Sequence, residues 1–152
     1  MKEILFYKGK HEIITLPEFA SKAKKFYDKL FGLFRAKGYT YKTVETISEK
    51  KVGKHISEQT LYLVGHSRGA TRILKEFVAE NNPQIKGVIV FDPKQTCKEE
   101  WNKLQIPKLL FVSTKEQTQD YTGFQNKIEI QDGHYFNNSN EKVFPILEKF
   151  IE

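Results

Sequence analysis

Little in this sequence takes it outside ordinary globular proteins. Its 152 residues include a single cysteine, Cys97. An internal disulfide is therefore excluded, and so is a cysteine metal cluster. No apolar run approaches the roughly 20 residues of a membrane-spanning helix. The opening stretch Met1-Lys2-Glu3-Ile4-Leu5-Phe6-Tyr7 does not have the form of a secretory signal, because its apolar part is short and a charge sits beside it. A cytosolic location is the expectation. The chain also lacks an internal repeat, a low-complexity tract, a long basic run and any nucleic-acid-binding motif.

What remains is a composition suited to one packed unit. The chain is 39% hydrophobic and 29% charged, and its length argues for a single domain over residues 1–152. A chain of this size buries about 70% of the surface it would expose when unfolded. The formal net charge is +6. A positive balance favours nucleic acid, anionic lipid or an acidic substrate. However, Lys22, Lys24, Lys25 and Lys29 are spaced as the polar face of a helix, so the charge reads as a solvated surface. No nucleic-acid partner and no cofactor are expected.

Short apolar, β-rich runs alternate with longer helix-patterned segments. Ile4–Tyr7, Tyr39–Val44, Thr60–Val64, Gly87–Phe91, Leu109–Val112 and Lys127–Ile130 read as strands. Pro17–Lys37 reads as a helix with Phe19, Ala23, Phe26, Leu30 and Phe34 at three- and four-residue steps, stopped by Gly38. Ala70–Glu80 and Val143–Ile151 are helix-patterned, and Glu45–Glu58 reads as a loop or short helix. Strands alternating with helices predict an α/β fold: a doubly wound, mostly parallel six-stranded sheet with helices on both faces.

One stretch carries chemistry. Leu61-Tyr62-Leu63-Val64-Gly65-His66-Ser67-Arg68-Gly69-Ala70 holds Gly-x-Ser-x-Gly between an apolar strand and a helix, the setting in which this pattern makes a nucleophile elbow. There a serine sits on a sharp, strained turn with its hydroxyl above the sheet edge. The flanking glycines let strand and helix approach closely. The helix N-terminus behind Ser67 favours a developing oxyanion. Read blandly, the same pattern is a tight turn with a serine cap.

A serine hydroxyl needs a base, expected after the last strand. Of His11, His55, His66 and His134, only His134 stands there, in Gln131-Asp132-Gly133-His134. His66 is expected to line the elbow, and His11 and His55 to be exposed. Three carboxylates could orient the histidine. Asp92 ends the strand Gly87–Phe91, Glu116 follows the next strand, and Asp120 lies a little further on. Asp132, just before Gly133, reads as a turn residue. An oxyanion hole would take the Arg68 N–H and a second N–H from the loop Lys8-Gly9-Lys10.

On Gly65-His66-Ser67-Arg68-Gly69 and Asp132-Gly133-His134 the chain resembles the α/β-hydrolase superfamily over nearly its whole length. The resemblance implies a strand order of 2-1-3-4-5-6 and a minimal fold with no cap domain, hence an open site. Together with Phe91-Asp92-Pro93, the elbow also looks like chlorophyllase-type and pancreatic-lipase-type enzymes, in which the acid follows the strand after the nucleophile helix. That places Asp92 ahead of Glu116. The implied activity is cofactor-free cleavage of an ester or thioester of a small acyl substrate, with Arg68 and nearby lysines hinting at an anionic one. Two other functions fit the sequence: a binding protein on a retired hydrolase scaffold, and a basic nucleic-acid-associated module.

Overall fold

The structure is a computed structural model that describes residues 3–7, 26, 28–30, 32–44, 60–80, 83, 85–115, 119–136 and 138–151. Its strands are β1 (Glu3–Tyr7), β2 (Thr40–Val44), β3 (Thr60–His66), β4 (Gly87–Phe91), β5 (Lys108–Ser113) and β6 (Lys127–Ile130). They lie in one sheet in the order β2-β1-β3-β4-β5-β6, and every neighbouring pair is parallel. Helical residues 26, 28–30 and 32–36 form α1. The other helices are α2 (Arg68–Glu80), α3 (Lys98–Lys103) and α4 (Asn140–Ile151).

The sheet is apolar on both faces because its central strands alternate between two cores. Tyr62, Val64, Ile89, Phe91 and Phe111 point to one face, where they meet Phe26, Leu30 and Phe34 of α1 and Val143, Leu147 and Ile151 of α4. Leu63, Val88, Val90, Leu110 and Val112 point to the other, against Ala70, Ile73 and Leu74 of α2 and Trp101 of α3. Parallel strands buried on both faces read as continuous apolar runs, and Gly87–Phe91 is buried throughout.

Local chemistry ends α1 where the sequence places its stop. Gly38 has φ 83°, a left-handed conformation that glycine adopts without strain. Around it Tyr39 N–H donates to the Phe34 carbonyl at 3.1 Å and Gly38 N–H to the Arg35 carbonyl at 3.0 Å, the paired bonds of a Schellman cap. The Phe34 and Tyr39 rings meet edge-on across it. At the start of β5 buried Lys108 donates to the carbonyls of Trp101 (2.7 Å) and Leu104 (2.9 Å). Its positive charge thus closes the C-terminal end of α3. Cys97 is buried and donates its thiol to the Lys94 carbonyl. Burial, with Glu100 adding to it, pushes that thiol up to about 12.

Phe19, Ala23, His11, His55 and Glu45–Glu58 lie outside the described residues. Among those described, no helix is long and apolar enough to cross a membrane.

Candidate active site

Parallel strands put their carboxyl ends on one edge, where open α/β sheets bind ligands. Ser67 follows β3, Asp92 follows β4, Ser113 ends β5, and His134 lies in the connection from β6 to α4.

The turn at Ser67 is strained. Its φ is 55°, a left-handed value that costs a non-glycine residue on the order of 1–3 kcal/mol. Both of its main-chain polar groups are engaged. The N–H donates to the Phe91 carbonyl at 2.8 Å, and the carbonyl accepts from Thr71 N–H at 3.1 Å and Thr71 Oγ1 at 3.2 Å. Thr71 Oγ1 also accepts from Lys94 N–H at 2.9 Å, tying the elbow to the segment after Asp92. Gly65 allows the close packing behind the turn. A Cβ there would lie 2.7 Å from Ile73 Cδ1 and 2.8 and 2.9 Å from the N and Cα of Ala70. Ser67 itself is half-buried, and its hydroxyl makes no hydrogen bond among the described residues.

Asp92 also has positive φ, 46°, and its side chain is 5% exposed. Oδ1 accepts from Ser113 N–H at 2.8 Å, and Oδ2 accepts from Ser113 Oγ at 2.5 Å. His134 Nδ1 lies 2.8 Å from Oδ2. An ionised carboxylate only accepts, so Nδ1 carries the proton in this pair and Nε2 is left as the basic atom. The ring is partly exposed, at 30%. Behind Asp92, Tyr121 donates its hydroxyl to the Pro93 carbonyl. Burial raises this phenol far above its ordinary range, and the Asp92 charge adds to the effect.

The His134 segment is folded around a second carboxylate. Asp132 is 5% exposed and accepts from Gly133 N–H (2.7 Å), Asn138 N–H (2.8 Å) and Ser139 Oγ (2.5 Å). Burial pushes its carboxyl up, but the bonds from Ser139, Asn138 and Gly133, with the Lys115 charge, outweigh burial and hold it below the usual range. His66, 1% exposed, reaches the same segment from the elbow. Its Nε2 lies 2.7 Å from the His134 carbonyl oxygen, and its ring is 4.6 Å from that of His134.

Of the three carboxylates left open by the sequence, Asp92 is the one bonded to His134. Asp120 is exposed and accepts from Thr122 N–H and Oγ1, while Glu116 lies outside the described residues, as do Gly9 and Lys10. Arg68 opens α2, so its N–H has no partner within the helix. The hydrogen bonds described for His134 run to Asp92 and His66, and none reaches Ser67. The parts played by Ser113 and Thr71 and the loop-folding role of Asp132 are not evident from the sequence pattern. The available signals were a serine at the end of a strand on this edge and an Asp seven residues before a Ser ahead of a helix. Among the described residues no group of three or more His, Cys, Asp and Glu is placed to hold a metal ion.

No protein-family model matches the chain, and no curated protein matches it. A solved structure does. The esterase domain of a Rhodothermus marinus protein superposes with a TM-score of 0.66 at 15% identity, covering 98% of this chain and 85% of that one. The chain therefore shares its fold with an esterase domain.

Proposed function

We propose that the protein is a serine hydrolase with a minimal, capless α/β-hydrolase fold, cleaving an ester or thioester of a small acyl substrate. The observation that carries this reading is the Asp92–His134 pair, at 2.8 Å, on the same sheet edge as a serine held at φ 55°. Similarity in fold to an esterase domain supports it.

In this reading Ser67 Oγ attacks the acyl carbonyl carbon while His134 Nε2 takes the hydroxyl proton. The Asp92 carboxylate fixes the tautomer of the neutral ring and stabilises the imidazolium that forms. The carbonyl oxygen becomes an oxyanion and is met by the Arg68 N–H at the start of α2 and by a second N–H from the Gly9-Lys10 segment. Collapse expels the alcohol or thiol, which receives the proton from His134 and leaves an acyl-Ser67. Water, deprotonated by the same imidazole, then releases the acid. A nucleophile–base hydrogen bond is often long in a ligand-free site and tightens on substrate binding. Exposed Lys94 and Lys115, following β4 and β5 on this edge, favour a negatively charged acyl or leaving group.

Turnover of p-nitrophenyl butyrate and of a short acyl thioester by purified protein tests the reading. Wild type should hydrolyse at least one of them. Ser67→Ala should lose the activity with its fold intact. Equal rates for the two proteins would overturn it.

A further inference from the structure

The chemistry proposed above leaves one buried ring of the elbow without a task. His66 is the last residue of β3 and pairs with Phe91 of β4. Its Nε2 is 2.7 Å from the carbonyl oxygen of His134. A carbonyl oxygen only accepts, so Nε2 carries the proton and His66 donates. The ring also packs beside Tyr135 at 5.5 Å and Phe136 at 6.4 Å, so it spans the gap between the elbow and the β6–α4 connection.

The Asp92 bond holds one atom of the His134 imidazole. A single hydrogen bond leaves a ring able to swing about its acceptor as the segment carrying it shifts. The His66 bond holds the main chain of the same residue, and the residue that donates it immediately precedes Ser67 in the chain. Nucleophile and base are thus referenced to each other through a short path in a rigid, strained turn. Proton transfer depends steeply on such placement: a misplacement of about 1 Å can cost about 10²-fold in rate.

We propose that His66 is a positioning residue for the base: by holding the main-chain carbonyl of His134, it sets the imidazole Nε2 where it can take the proton of Ser67. The inference rests on the reading of Ser67 and His134 as nucleophile and base.

The test separates the hydrogen bond from the bulk of the ring. His66→Leu keeps much of the volume and removes the donor. His66→Gln puts an amide nitrogen near the place of Nε2. With ester turnover as the readout, H66L should lose about 10²-fold in kcat with little change in KM, and H66Q should recover most of that loss. Wild-type turnover in H66L, or a folded H66Q as impaired as folded H66L, would overturn the proposal. If H66L does not fold, His66→Asn replaces it, since its shorter amide falls short of the carbonyl. H66Q well above H66N then supports the proposal, and equal rates overturn it.

A readout independent of turnover distinguishes failure of this inference from failure of the hydrolase reading. The His134 Nδ1–H proton, assigned in NMR spectra by its loss in His134→Ala, should persist against solvent exchange in wild type and H66Q and disappear in H66L or H66N. That contrast in a protein inactive on esters would remove the hydrolase reading and leave His66 as the residue that places His134. Active wild type with no contrast would remove the His66 inference alone.

Discussion

A carboxylate that orients an imidazole must itself be held, and both oxygens of Asp92 are occupied before His134 arrives. Ser113 supplies its N–H to one and its hydroxyl to the other. These bonds fix the plane of the carboxylate, which in turn fixes the direction of the His134 Nδ1–H bond. Asp92→Asn keeps the shape and removes the charge. Its amide can also donate to Nδ1, which would leave the basic lone pair on the wrong side of the ring. We expect D92N to lose on the order of 10⁴-fold in kcat, as when a triad acid becomes its amide, with circular dichroism unchanged. Asp120→Asn, on the exposed surface beside Thr122, should leave steady-state hydrolysis near wild type. The residue types at this edge were legible in the sequence, because Ser67 and Asp92 each follow an apolar strand and His134 follows the last, alternating one. The choice among Asp92, Glu116 and Asp120 was not legible from residues alone. It depends on which strand end faces the β6–α4 connection, a relation between segments some 40 positions apart.

At the scale of elements, the elbow and the His134 connection are the two built turns. Gly65 makes the first possible. Gly65→Ala would drive a Cβ into the backbone of Ala70, which cannot yield as a flexible side chain could. We expect a loss of about 1–3 kcal/mol in urea denaturation, the range for overpacking, and slower turnover, because relief would have to move the turn that carries Ser67. Asp132 makes the second turn possible. Replacing it by Asn leaves the Gly133, Asn138 and Ser139 donors with a weaker, partly mismatched acceptor, for a loss of about 1–3 kcal/mol near neutral pH. The pH dependence follows from the lowered carboxyl of the folded state. A group whose folded pKa is depressed stabilises fully above its unfolded value, near 3.9 for Asp. That contribution is lost as pH falls through the folded value. The gap in urea midpoint between wild type and D132N should therefore be constant from about pH 5 to 7 and close on acidification. A gap that widens in acid would contradict the assignment. Asp132 reads as an ordinary turn residue in sequence, because its partners Asn138 and Ser139 lie beyond the local window of turn patterns. Strand β3 extends past the apolar run as far as His66 for a similar reason: pairing with Phe91, not hydropathy, sets its end.

Across the whole molecule, one sheet separates two cores and leaves its carboxyl edge to the site. The alternation of apolar strands and helices already implies this layering, and Gly87–Phe91 and Lys127–Ile130 coincide with the strands read from sequence. The short helix α3 does not stand out in the sequence. Its six residues are too few to carry a periodic signal, and it is held by distant contacts: Trp101 Nε1 to the Gln125 carbonyl, and Lys108 to its C-terminal carbonyls. The same layering bears on the proposal that Ser67 is the nucleophile, because the fold brings Ser67, Asp92 and His134 from three connections to one edge of the sheet. Labelling with a fluorophosphonate probe, followed by peptide mapping, checks this role for Ser67. One label per folded chain is expected, on Ser67, absent in S67A and much slowed in His134→Ala. A folded wild-type protein that stays unlabelled, or carries its label on another residue, would contradict it.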